Sequence, residues 1–281
     1  MVGTFSSLRT GYGSRNTDKA TIVSGPVAVN MLRFASPGKA WWLSMGGIQF
    51  KVTIEDTLAL AINSTFSRLQ QLTPVYRRAF LIVSEGTKDG VAFYSTLGGA
   101  AAHGSQDYLN LISAADAFVI SHEVGHIFEQ RTRVTDTTVL DRWEVAAQQD
   151  NISVSNYGNT VRHEDLAEFA YVYALCVDAG QARLNELQAL SPRRFALWKM
   201  MVEFNNTPPE VTDFRIINGT PRFVIRTIAG YRYRVLYQAG LAGGSWSPVN
   251  QTWADGTGGN ITLTDPVLPL PAQRFYRVEL Q

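Results

Sequence analysis

Two hydrophobic periods divide this chain. Up to about residue 206, apolar positions recur at helical spacing between short β-rich runs; beyond Val211 they alternate with a period of two, broken by glycine turns. In the first part, 21–23 and 27–29 are β-rich, Ser36-Pro37-Gly38 reads as a turn, and 41–43 and 48–52 read as strands around Gly46-Gly47. Leu58, Ile62, Phe66 and Leu69 predict a helix from Thr53 or Glu55 through Leu72, stopped by Pro74. The apolar run within 78–84 predicts a buried strand and 91–96 a second one. Residues 97–104 read as a small-residue loop carrying His103, a solvated loop histidine or a substrate-loop residue, and 108–111 as a short strand. Peptides commonly bind by adding a strand to an exposed sheet edge; 91–96 or 108–111 is the expected edge.

Ser113 and Asp116 have the spacing of a capping box and open a helix through Phe128. Ala115, Val119, His122 and His126 share one of its faces, and Ala117, Ile120, Val124, Ile127 and Phe128 cover the other, so the helix is expected to be buried. Further helices are predicted over 136–149, 162–177, 182–190 and 192–204, the last with Ser191 as N-cap and Pro192 at its first position, and 152–159 reads as a loop. The strand-like spans 214–217, 223–226, 231–237, 261–263 and 275–278 are separated by Gly219, Gly230, Gly243-Gly244 and the glycines at 256, 258 and 259. They predict a small all-β sandwich. The expected organisation is an N-terminal segment (1–38) packing on or leading into the core, an α+β domain (39–206), a linker (207–212) and a β-module (213–281).

Composition narrows the function. A hydrophobic content of 45% is that of a globular chain, and 17% charged residues, below the usual ~25%, suits an exported protein. A net charge of +1 gives no field to draw nucleic acid. No segment reaches the length of a membrane span. Residues 1–4 do not begin a signal peptide, so export implies a leader absent from this chain. Cys176 is the only cysteine and reads as a core residue.

The chemistry lies in His122-Glu123-Val124-Gly125-His126, an H-E-x-x-H pattern. On a helix, residues i and i+4 lie one above the other, so both histidines reach one cation from the same side. Zinc with three protein ligands keeps a fourth position open for water, and the glutamate between the histidines is placed to act as general base. Two histidines and a glutamate on a buried helix are costly unless paired or bound to metal. A zincin-like fold with mixed sheet and active-site helices is therefore expected.

Several carboxylates could complete the site: Glu129, Asp141, Glu144, Glu164, Asp165 and Glu168. Glu129 and Thr132 stand where a metzincin requires Gly and His, which excludes that class. Glu129 is rotated away from the metal on the same helix. Glu144 lies at a distance some glutamate zincins use. Glu164 is favoured because it pairs at i, i+4 with Glu168 on an otherwise small and apolar helix face, where Glu168 could accept a hydrogen bond from a ligand histidine. His163 points about 100° away on the helix and reads as a capping or surface residue.

Tyr157-Gly158 followed by Glu164-x-x-Ala167-Glu168, after an H-E-x-G-H helix, resembles the catalytic domains of anthrax lethal factor and the Pro-Pro endopeptidases. The resemblance covers roughly 113–175. It implies zinc ligands His122, His126 and Glu164, Glu123 as base, Tyr157 as the phenol that hydrogen-bonds the developing oxyanion, and Glu168 as the acidic residue one turn beyond the third ligand. The motifs around 231–235, 246–249 and 274–278 resemble a β-module ending large secreted bacterial proteins, which favours export and implies contact with a surface or glycan; Trp246 and Trp253 read as core residues rather than sugar platforms. The expected function is zinc-dependent hydrolysis of peptide bonds in a peptide or protein substrate. The alternative is a secreted, non-enzymatic binding protein with a structural metal.

Overall fold

The computed structural model describes residues 5, 8, 18–85, 88–134, 136–207, 209–227, 232–240, 246–249, 252–257, 259–266 and 273–280. Most of the 1–20 lead-in, Pro208 of the linker and the turn glycines at 230, 243, 244 and 258 lie outside the described residues. The fold is mixed α and β, and it divides into two compact units: residues 1–133 with 137–206, and 134–136 with 207–281.

In the first unit six strands form one sheet in the order β1-β2-β3-β4-β6-β5: β1 (Thr21–Met31), β2 (Ser36–Met45), β3 (Ile48–Glu55), β4 (Val91–Tyr94), β5 (Ala102–Ser105) and β6 (Tyr108–Ile112). The runs 21–23 and 27–29 merge into β1. The turn precedes Ser36, with Ala35 at φ 49°, so Ser36-Pro37-Gly38 lies in β2 instead. β3, β4 and β6 run parallel, and β5 closes the sheet antiparallel to β6. The expected edges, 91–96 and 108–111, are thus interior. The edges are β1 and β5, the latter in the stretch read as a loop, because the β5–β6 hairpin places β6 beside β4 and leaves β5 outermost.

The helices are α1 (Ile62–Leu69), α2 (Arg78–Ile82), α3 (Ala117–Arg133), α4 (Val139–Asp150), α5 (Arg162–Ala179), α6 (Gln181–Leu190) and α7 (Pro192–Asn206). Two expectations fail here. The stretch 53–61 is not helical: β3 continues to Glu55, whose carboxylate takes the Ser95 N–H at 2.8 Å and its hydroxyl at 2.6 Å, and parallel pairing with β4 overrides local propensity. The run 78–84 is helical, not a strand. It follows a 3₁₀ turn at Pro74–Tyr76, and Ala79, Phe80, Ile82 and Val83 are all buried. A short apolar run cannot distinguish a buried strand from a buried helix. Asp116 is itself the N-cap of α3, accepting the N–H groups of Phe118 and Val119 at 3.0 Å, which displaces Ser113 from that role.

α3 and α5 pack against each other at Gly125. A Cβ there would lie 2.7 Å from Ala167 Cα and 3.0 Å from Ala170 Cβ, so only glycine permits this approach. Ile120, Val124, Ile127, Phe128, Leu166, Phe169 and Tyr173 join the core between helices and sheet.

The second unit contains two small sheets. One pairs β7 (Glu210–Ile217), β8 (Thr220–Arg226) and β12 (Asn260–Thr264). The other gathers β10 (Ser247–Pro248), β11 (Ala254–Asp255) and β13 (Phe275–Leu280) around β9 (Arg232–Gln238). Phe223 of β8 meets Tyr276 of β13 at 4.9 Å, joining the two sheets.

Candidate metal centre

The close approach at Gly125 brings His122 and His126 on α3 against Glu164 on α5. Glu164 Oε2 lies 3.1 Å from His122 Nε2 and 3.6 Å from His126 Nε2, and one donor atom from each of the three residues lies within 4.8 Å of the others. The side chains are 13–15% exposed. Glu164 Oε2 is buried, and its nearest polar neighbours are these two imidazole nitrogens. A carboxylate oxygen converging with two imidazole nitrogens is a ligand set that fits a divalent cation.

Glu168, one turn further along α5, sets the tautomer. Its Oε1 is 3.0 Å from His122 Nδ1, and a carboxylate only accepts, so Nδ1 carries the hydrogen and Nε2 is left to turn toward Glu164. Burial opposes charge on His122, but its interactions with Glu164 and Glu168 and the nearby Glu123 outweigh it and raise the pKa to about 9 in the metal-free protein. Burial pushes Glu164 up; the two histidines outweigh that and hold it well below the ordinary carboxylate range.

Glu123 lines a cleft of about 420 Å³ with His122, Tyr157, Glu168, Phe118 and Tyr171. Burial raises its pKa, against the pull of His126, His122 and the Gly104 N–H. Gly104 belongs to the edge strand β5; a side chain there would strike the Glu123 backbone at 2.5 Å. Tyr157 is 55% exposed, with its ring 5.9 Å from that of His122. Burial and the charges of Glu164, Glu123 and Glu168 push its phenol above the usual value, so it remains a proton donor at neutral pH.

The other carboxylates are elsewhere. Glu144 and Asp141 are exposed and pair with Arg162, Asp165 pairs with Arg194, and Glu129 faces Arg133 at 3.2 Å. His163 is half exposed, but its Nε2 lies 3.6 Å from the outer oxygen of Glu164, nearer the cluster than its position on the helix suggests. His103 lies on β5, paired with Asn110, rather than in a loop. Sequence reasoning missed Gly104, Phe118 and Tyr171. A glycine within an alternating stretch is a signal of close backbone approach, and it could have pointed to Gly104.

A scan against protein-family models finds no match, and no curated protein matches the chain significantly.

Proposed function

We propose that this protein is a zinc-dependent endopeptidase with a zincin-like first unit, related in design to the lethal-factor and Pro-Pro endopeptidase catalytic domains. The observation that carries this reading is the convergence of His122, His126 and the buried Glu164 Oε2 beside an open cleft lined by Glu123. His122, His126 and Glu164 hold the ion. Zinc supplies Lewis acidity, drawing down the pKa of water and polarising a carbonyl oxygen. Glu123 takes the proton from the attacking water and returns it to the leaving amine, and its upward shift suits that exchange. Tyr157 donates its phenolic hydrogen to the oxyanion that develops on the substrate. Glu168 keeps His122 oriented.

The cleft walls suit a peptide. Ala100, Ala101, Ala102, Phe118, Val119 and Tyr171 offer an apolar seat for a side chain next to the scissile bond. β5 is an edge of the sheet, and an extended segment can add to such an edge. Only three ligands gather among the described residues, which favours an open catalytic site over a closed structural one. The second unit is a β-sandwich that supports export and contact with a surface. Arg234 covers Trp253 at 4.2 Å and Arg277 covers Trp246 at 4.8 Å, so neither ring serves as a bare sugar platform. Among the described residues no helix is long and apolar enough to cross a membrane.

The test is Glu123→Gln assayed against a proteome-derived peptide library. The variant is expected to keep one zinc per chain and lose about 10²–10⁴-fold in turnover. Undiminished cleavage by this variant refutes the base assignment, and a zinc-loaded unmodified protein that cleaves nothing refutes the peptidase reading.

A further inference from the structure

A second set of buried polar groups joins the start of α5 to the loop that carries Tyr157. Arg194, on the first turn of α7, is fully buried. Its Nη1 donates to both carboxylate oxygens of Asp165, at 2.9 and 3.1 Å, and Asp165 directly follows Glu164. Its Nη2 donates to the Ile152 carbonyl at 2.7 Å, and Ile152 begins the loop that presents Tyr157. Its Nε donates to Ser191 Oγ at 3.0 Å. Trp143 of α4 donates its indole N–H to Asp165 at 2.8 Å. The rings of Phe5 and Phe169 lie 5.4 and 5.7 Å from the guanidinium carbon.

The loop is tied internally and rests on α5. Gly158 N–H donates to Ser155 Oγ at 2.8 Å, and the Thr160 hydroxyl donates to the Tyr157 carbonyl at 2.7 Å. A Cβ on Gly158 would lie 3.1 Å from Asp165 Cα, so the loop touches the helix next to the third ligand. A buried ion network adds little stability over apolar packing of the same volume. What a guanidinium adds is a rigid planar fork that fixes several acceptors relative to one another. Here the acceptors belong to the Tyr157 loop and to the helix of Glu164.

We infer that Arg194 is a positioning residue: it holds the Tyr157 phenol at a set distance from the ion-binding face of α5. The functional part rests on the peptidase reading above; the geometric part does not. Arg194→Lys keeps the charge but cannot bridge Asp165 and Ile152 together. Trp143→Phe removes one donor to Asp165 and serves as the milder variant should the lysine form fold poorly.

Two measurements test this. In hydrogen exchange, the amides of Gly158, Asn159 and Thr160 should lose protection in Arg194→Lys, and to a smaller extent in Trp143→Phe, while those of α3 stay as they were. A uniform rise across the first unit, or none at 158–160, overturns the inference. In turnover, Arg194→Lys should lower kcat about 10- to 100-fold with KM nearly unchanged. Combined with Tyr157→Phe it should cost little beyond that single change, because both act through the same phenol; fully additive losses overturn the inference. If the unmodified protein binds zinc but cleaves no peptide, the peptidase reading falls and the exchange result alone decides the role of Arg194.

Discussion

Gly125→Ala tests the packing on which the whole centre depends. The new methyl would stand 2.7 Å from Ala167 Cα, 3.0 Å from Ala170 Cβ and 3.2 Å from Ala167 Cβ. Carbon atoms at rest sit about 3.5–4 Å apart, so α3 and α5 must separate by about 1 Å. The atoms met are backbone and alanine stubs, with no flexible side-chain end to swing aside. Overpacking of this kind costs about 1–3 kcal/mol. Replacing a mid-helix glycine with alanine returns up to about 1 kcal/mol. The clash wins, leaving a net loss of about 1–2 kcal/mol, and for a unit of this size each kcal/mol lowers Tm by about 2–4 °C. The local effect is larger than the global one. Gly125 lies between His122 and His126, and Ala167 is three residues past Glu164, so the same separation pulls the carboxylate from both imidazoles. Zinc affinity should fall roughly tenfold or more, as when an outer residue of a metal site is disturbed. Calorimetry of the metal-free protein and a competitive chelator titration read the two quantities. A Tm at or above that of the unmodified protein, with unchanged zinc affinity, refutes the close helix crossing.

Two other predictions concern the ligands. Glu164→Ala should abolish stoichiometric zinc by elemental analysis while Glu144→Ala leaves it intact, since Glu144 is engaged with Arg162 at 3.3 Å on the surface; the reverse pattern transfers the third ligand to Glu144. In the metal-free protein the His122 pKa is raised from 6.5 to about 9, so its protonation favours the folded state. That contribution, about 3 kcal/mol at full strength, is complete below pH 6.5 and is lost as the pH rises through 9. Metal-free Tm should therefore decline across that window and saturating zinc should remove the decline; a flat or rising metal-free profile contradicts the assignment.

The site was more legible in the sequence than the sheet around it. His122, Glu123 and His126 share a helix, and Glu164 and Glu168 share another, so side-chain direction followed from helical spacing alone. What brings the two helices together is Gly125, and its contacts with Ala167 and Ala170 depend on a distant segment that no local pattern encodes. Strand order was illegible for the same reason. Ala102-His103-Gly104-Ser105 is a strand because Tyr108–Ile112 inserts beside β4 and leaves it the outer place, although its own residues favour a loop. The 78–84 run misled because burial on all sides erases both periods.

The arrangement of charge fits a cation site better than a salt-bridge network. Glu55 is matched by the Ser95 N–H and hydroxyl, Asp165 by Arg194 and Trp143, and Asp265 by Arg274. Glu129 Oε1 is buried without a hydrogen bond, but it faces the Arg133 guanidinium at 3.2 Å. Glu164 is treated differently. Its inner oxygen is buried, and its nearest polar neighbours are two imidazole nitrogens, one already turned by Glu168 so that its free position faces inward. Glu123, Glu164 and Glu168 together bring three carboxylates to a partly buried pair of histidines, an excess of negative charge that burial penalises. Protonating His122 relieves part of it, and this is the origin of its raised pKa. A divalent cation would relieve more, at the point among the described residues where two imidazole nitrogens and a carboxylate oxygen converge. The proton on His122 and the ion would thus compete for the same electrons, so zinc binding should release that proton in full well below pH 9 and progressively less as the pH rises through 9.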